Sequence, residues 1–210
     1  MSPVRYAVSC SLAAALASTA TSAADPAGPA KTIGRIVVLG DSLAVSPSHS
    51  LNFPAELQAR LQESHPGWTI ANASYRGDTT TGGVRRFGDA LTPDTRILVL
   101  ELGANDGLRG VDVATVEANL SQMIEEAKAR GIKVLLCGME APPLKGWNYS
   151  LAFHGIYPRL AAKYKIPLVP FLLAGVALNP DLNGSDHIHP NAAGAEVIAD
   201  TVWPYLEPLL

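Results

Sequence analysis

Five short, mainly apolar runs punctuate this 210-residue sequence, and stretches with helical spacing separate them. The runs are Ile36 to Leu39, Trp68 to Ala71, Ile97 to Leu100, Val134 to Cys137 and Leu168 to Phe171. A strand with one wet face alternates apolar and polar residues. A run without alternation is covered on both faces, the condition of strands in a parallel sheet. Between the runs, Phe53 to Glu63 places Phe53, Leu57 and Leu61 on one helical face, with Asn52 as its cap and Pro54 tolerated in the first turn. Thr115 to Arg130 is the clearest helix: Val116, Leu120, Met123, Ile124 and Ala127 share a face, and Gly131 ends it. Asn148 to Tyr164 reads as one helix disturbed at Pro158, and Asn191 to Leu206 as a last helix, capped by Asn191 and disturbed near Pro204. This order predicts the α/β class: a three-layer α/β/α sandwich on a five-stranded parallel sheet. Ligands of such sheets bind at the carboxyl ends of strands, near the point where strand order reverses.

The N-terminal segment has a different character. Arg5 is the only charge before Asp25, Tyr6 to Ala17 is apolar and rich in Ala and Leu, and small residues follow to Ala24. That profile predicts a secretory signal peptide over residues 1–24, cut after Ala23 or Ala24. The apolar run is too short for a spanning helix, which needs ~20 residues. Asp25 to Lys31 reads as a Pro/Ala/Gly linker, which leaves one domain over residues 33–210. The chain is expected to be exported, periplasmic or secreted, monomeric and without a stable membrane anchor. Of its two cysteines, Cys10 would depart with the leader, and Cys137 sits alone inside an apolar run. No internal disulfide can then form, and burial is the natural role of Cys137. A net charge of −3 with no Lys/Arg cluster excludes a nucleic-acid-binding surface.

Four polar blocks stand where the sheet argument places a site. Gly40-Asp41-Ser42-Leu43 follows the first run, Asn72 to Thr79 the second, and Gly103-Ala104-Asn105-Asp106 the third. Asp186-His187-Ile188-His189-Pro190 precedes the last helix. Their residue types fit nucleophilic catalysis. A serine hydroxyl attacks a carbonyl only with a base of near-neutral pKa beside it, and histidine in turn needs a carboxylate to fix its tautomer. Asp186 and His189 lie three residues apart, so one turn of chain can present both to Ser42. The backbone N–H groups of Ser42 and Gly77 and the side-chain amide of Asn105 can converge on an oxyanion, each donor contributing roughly 2.7–4 kcal/mol. Asp41 and Asp106 are expected to hold loops, and His187 to sit on the rim. No G-x-S-x-G elbow is present, which argues against the elbow-bearing hydrolase fold.

Together these blocks resemble those of the SGNH (GDSL) hydrolases, in order and across about Ile36 to Leu210. Asn72-Ala73-Ser74, Glu101 to Gly110 and Ile156-Tyr157-Pro158 look like the lysophospholipase L1/acyl-CoA thioesterase I/arylesterase branch of that family. The resemblance implies a flavodoxin-like sheet of order 2-1-3-4-5. It also implies the roles argued above for Ser42, Gly77, Asn105 and His189. The expected activity is hydrolysis of small-molecule acyl or aryl esters, with thioesters and lysophospholipids as further substrates, through an acyl-enzyme and without a cofactor. Leu108, Pro143, Leu144 and Trp147 are candidates for an acyl groove. Activity is expected to fall below about pH 6, where a free imidazole of pKa ~6.5 takes up its proton.

Two alternatives stand beside this reading: a carbohydrate acetylesterase on the same fold, marked by a small polar acyl pocket, and a catalytically silent binding module, which retention of Ser42 and His189 disfavours. Carboxylate and imidazole are also metal-ligand types. However, His49, His65 and His154 are scattered and no H-E-x-x-H pair occurs, so no metal site is expected.

Overall fold

The computed structural model describes residues 1–3 and 33–210. The expected leader and linker therefore lie outside the described residues. The chain runs through β1 (Gly34–Gly40), α1 (Phe53–Ser64), β2 (Trp68–Asn72), α2 (Thr80–Ala90), β3 (Thr95–Glu101) and α3 (Ala104–Arg109). It continues through α4 (Val113–Ala129), β4 (Lys133–Cys137), α5 (Trp147–His154), α6 (Ile156–Tyr164), β5 (Leu168–Val169) and α7 (Ala192–Leu206).

The strands form one parallel sheet in the order β2-β1-β3-β4-β5. Its centre is fully enclosed: Ile36 to Leu39 and Ile97 to Leu100 have no solvent exposure. That burial on both faces is why these runs carry no polar alternation. The helices fall into two layers, α1 against α7 on one face and α2, α4 and α6 in sequence on the other. Because the chain steps from β1 to one neighbour through α1 and returns to β3 on the opposite side, the strand order reverses between β1 and β3. The crevice at their carboxyl ends is the switch point of the sheet.

Local chemistry accounts for the helix starts. Asn52, Thr79, Asp112 and Asn191 each accept, through the side chain, an N–H from the first turn of the helix they precede. Two expectations need correction. The single helix foreseen over Asn148 to Tyr164 is divided at Gly155 into α5 and α6. Pro158 has no N–H to give the carbonyl of His154, so the ladder breaks one turn before the proline and Pro158 falls in the first turn of α6. The fifth strand is shorter than expected, ending at Val169 before Pro170, which cannot donate to a ladder. Pro204 does lie inside α7.

Candidate active site

The turn after β1 delivers Ser42. Asp41 caps the short 3-10 helix Ser42–Ala44 by accepting the Leu43 N–H at 3.0 Å. Ser42 is thus relieved of capping, and its Oγ lies 2.8 Å from His189 Nε2. Asp186 Oδ2 is 2.6 Å from His189 Nδ1. The other carboxylate oxygen, Oδ1, accepts the backbone N–H groups of Ile188 and His189, each at 3.0 Å. Those three hydrogen bonds hold the Asp186 carboxyl well below the usual carboxylate range, the imidazole contributing most. The loop before α7 closes by Gly184 N–H to His189 O and His187 N–H to Gly184 O. His187 takes a left-handed conformation (φ 57°) and is exposed, apart from the serine.

Ser42 is 8% exposed, so its hydroxyl faces a narrow opening. Gly77 follows β2 at φ +74°, a conformation that glycine adopts without penalty. Among the described residues neither the Ser42 nor the Gly77 N–H has an intramolecular acceptor. Both are available to a ligand. Asn105 opens α3, and its Nδ2 donates to Asp41 Oδ2 at 3.1 Å. One amide hydrogen is so employed, and the second remains free.

Beneath these groups lies a layer that sequence reasoning did not anticipate. Glu101, at the end of β3, is fully buried and accepts the Asp41 N–H at 3.0 Å. Its other oxygen, Oε1, has no partner. Burial pushes the Glu101 carboxyl well up, with repulsion from Asp41 adding to it. Burial also pushes Asp41 up to about 6, against the lowering effect of the Leu43 and Asn105 hydrogen bonds. Asp106 is buried too, accepting the Thr80 N–H (2.9 Å) and hydroxyl (2.7 Å). It holds α2 as a loop-fixing residue would.

Arginines join the blocks. Arg86 of α2 pairs with Asp78 at 2.6 Å and donates to the carbonyls of Gly40 and Ala73. Arg109 Nη2 donates to Gly77 O at 2.8 Å. Tyr157 of α6 donates its hydroxyl to Leu102 O at 3.0 Å, and Gly103 (φ +128°) leaves room for it, since a Cβ there would come within 2.0 Å of the Tyr157 oxygen. Each of these side chains except Arg86 lies within a motif already singled out. What the motif could not convey is which neighbouring block each one reaches.

A cleft of about 230 Å³ opens beside His189 and Asp186. The candidate acyl-groove residues do not line it. Leu108, Leu144 and Trp147 are exposed (43%, 74% and 72%), on α3, the segment between β4 and α5, and the first residue of α5 respectively. Helix α5 is tied to the chain just after α3 by Tyr149, whose hydroxyl donates to Val111 O at 2.8 Å. Pro143 opens a 3-10 turn beside them. Among the described residues no group of three His, Cys, Asp or Glu side chains is arranged to hold a metal.

The model of the GDSL-like lipase/acylhydrolase family matches residues 38–197. The chain is 40% identical over 178 residues to esterase TesA of Pseudomonas aeruginosa, covering 83% of this chain and 89% of that one. It is 36% identical over 178 residues to thioesterase 1/protease 1/lysophospholipase L1 of Escherichia coli strain K12, covering 83% and 84%. A crystal structure of TesA superposes with a TM-score of 0.79 at 40% identity, spanning 84% of this chain and 99% of that one.

Proposed function

The chain belongs to the GDSL-like lipase/acylhydrolase family and is a serine esterase, and on that premise we propose that Ser42, His189 and Asp186 are its catalytic triad. The observation that carries the assignment is the unbroken chain Asp186 Oδ2, His189 Nδ1, His189 Nε2, Ser42 Oγ, with spacings of 2.6 and 2.8 Å. His189 takes the Ser42 proton as Oγ attacks the ester carbonyl. The tetrahedral oxyanion is received by the N–H groups of Ser42 and Gly77 and by the free amide hydrogen of Asn105. His189 then gives its proton to the leaving oxygen, the alcohol departs, and the acyl group stays on Ser42. A water that loses its proton to His189 hydrolyses the acyl-enzyme. Asp186 remains ionised throughout, which its depressed pKa favours.

For the acyl chain we assign the exposed apolar side chains of Leu108, Pro143, Leu144 and Trp147. They lie on or near α3, whose first turn carries Asn105, and solvent-facing apolar surface at a site of this kind is the feature an acyl chain would cover. Thioesters and lysophospholipids belong to the proposed range, since one acyl-enzyme serves them all. The protein is further proposed to act as an exported monomer with no membrane anchor. Among the described residues no helix is long and apolar enough to cross a membrane.

The test is hydrolysis of p-nitrophenyl esters from C2 to C12 by wild type, Ser42→Ala and Asp186→Asn. Loss of at least 10³-fold in the serine variant is expected, with an optimum beyond C2. Retained activity in Ser42→Ala would refute the nucleophile, and a sharp preference for acetyl would favour the carbohydrate acetylesterase reading.

A further inference from the structure

The cleft beside His189 lies on a definite side of the reaction. His189 Nε2 is the atom that returns the proton to the leaving oxygen, so the leaving group departs beside the imidazole, which forms one wall of this cleft. Its walls include Ser46, Pro47, Arg76, Ser185, Asp186 and His189. Apart from the Asp186–His189 pair, Arg76 is the one ionisable side chain lining it.

The position of Arg76 is set by the nucleophile's own turn. Its Nη1 donates to Ser46 Oγ at 3.2 Å, its Nη2 approaches Val45 O at 3.5 Å, and Ser46 Oγ in turn donates to Ser42 O at 2.7 Å. The guanidinium is therefore tied to Ser42 through one hydroxyl. Among the described residues it has no carboxylate partner, and at least three of its five N–H donors remain unengaged. The carboxylate nearest in the cleft, Asp186, already has both oxygens occupied by N–H groups. On the far side of Gly77, Arg109 adds a second guanidinium without a carboxylate partner among the described residues. Two cations thus flank the oxyanion glycine of a chain whose net charge is −3.

We propose that this cleft is a leaving-group subsite in which Arg76 selects esters whose alcohol or thiol portion carries a carboxylate or phosphate. The inference rests on the assignment of Ser42 and His189 made above. A planar guanidinium presents parallel donors that match either anion. At about 230 Å³ the cleft takes a small polar head group, and the residues assigned to the acyl chain are not among those that line it.

The experiment uses two butyryl esters that share an acyl group: p-nitrophenyl butyrate, which is neutral, and 3-carboxy-4-nitrophenyl butyrate, which is anionic. The quantity read is the ratio of kcat/KM for the anionic ester to that for the neutral one, at low salt. In Arg76→Gln, which keeps donors to Ser46 and Val45 but not the charge, the ratio is expected to fall about fivefold through KM. Arg76→Lys should hold the ratio near wild type and Arg76→Glu should lower it further. In wild type, 0.5 M salt should bring the ratio toward that of the Gln variant. A ratio equal in wild type and Arg76→Gln overturns the proposal, as does an equal loss on both esters through kcat, which would make Arg76 a prop for the serine turn. Retained hydrolysis in Ser42→Ala would instead remove the underlying assignment.

Discussion

Asp41 and Glu101 are two carboxyls buried side by side directly under the nucleophile, and neither is part of the triad. Asp41 accepts two hydrogen bonds, from Leu43 N–H and from Asn105, and both require acceptor oxygens. Asparagine in its place offers one oxygen and sets an NH₂ against the Asn105 amide. To relieve that donor–donor contact Asn105 must turn its carbonyl toward the oxyanion. Asp41→Asn should therefore lower kcat about 10²-fold, close to the effect of removing the Asn105 donor itself. Titration follows from the same burial. The folded chain holds a proton on Asp41 up to about pH 6, whereas the unfolded chain releases it near the ordinary carboxylate value. Between about pH 4 and pH 6 the folded state then binds more protons than the unfolded one, so stability falls as pH rises through that window. Glu101, raised further, extends the fall to higher pH. Glu101→Gln keeps an oxygen for the Asp41 N–H and cannot ionise. Thermal melts should show it several degrees more stable than wild type at pH 8 and nearly equal at pH 4, with most of its activity retained. A stability gain that is the same at both pH values would contradict the buried-acid account.

Helix α2 joins the site through Thr80 and Arg86 and was among the least legible elements. Its sequence, Thr80 to Ala90, holds Gly82, Gly83 and Gly88 and two adjacent arginines, so no apolar stripe announces it. The structure gives the reason for Gly83: a Cβ there would meet Leu102 Cδ1 at 2.3 Å, so close packing on the strand end replaces side-chain burial. α3 was equally hidden, because six residues are too few to show a period. The strands were readable for the opposite reason, since burial on both faces leaves an unbroken apolar run. The triad was readable because serine, histidine and aspartate carry their chemistry in their identities. Glu101, Arg86 and Arg109 do not. Their roles arise from contacts that reach 8 to 60 residues along the chain, the longest being Asp41 with Glu101. Arg86 shows what α2 contributes. Its side chain is 17% exposed, its partner Asp78 is 13% exposed, and it spans the ends of β1 and β2 through Gly40 O and Ala73 O. Arg86→Met would leave the Asp78 carboxylate buried and unpaired, a loss of about 3 kcal/mol or more. Denaturant unfolding should show that loss, and Asp78→Asn added to Arg86→Met should recover part of it. If the double variant is no more stable than the single, the clamp acts through its carbonyl contacts and not through the ion pair.

At the scale of the whole molecule, the described fold is held by its core alone. Cys137 is the single cysteine among the described residues and is a free thiol with no solvent exposure, on a strand covered by helices from both sides. Burial pushes its thiol well above the usual range, so attack by a thiol reagent requires the sheet to open. In a domain of this size, opening the central sheet is close to global unfolding. The native protein should therefore leave Ellman's reagent unreacted over hours, and its melting temperature should not depend on reductant. Denatured protein should react at once, and the number of thiols then counts the export step. If the proposed leader is removed, Cys10 goes with it and one thiol per chain appears in guanidinium. If it is retained, two appear. The same titration on protein recovered from cells thus separates two propositions. Fast native reaction in protein that shows one thiol per chain after unfolding would mean that β4 is accessible and the core argument is wrong. Two thiols in the unfolded state would leave the core argument intact and remove the case for cleavage after Ala23 or Ala24.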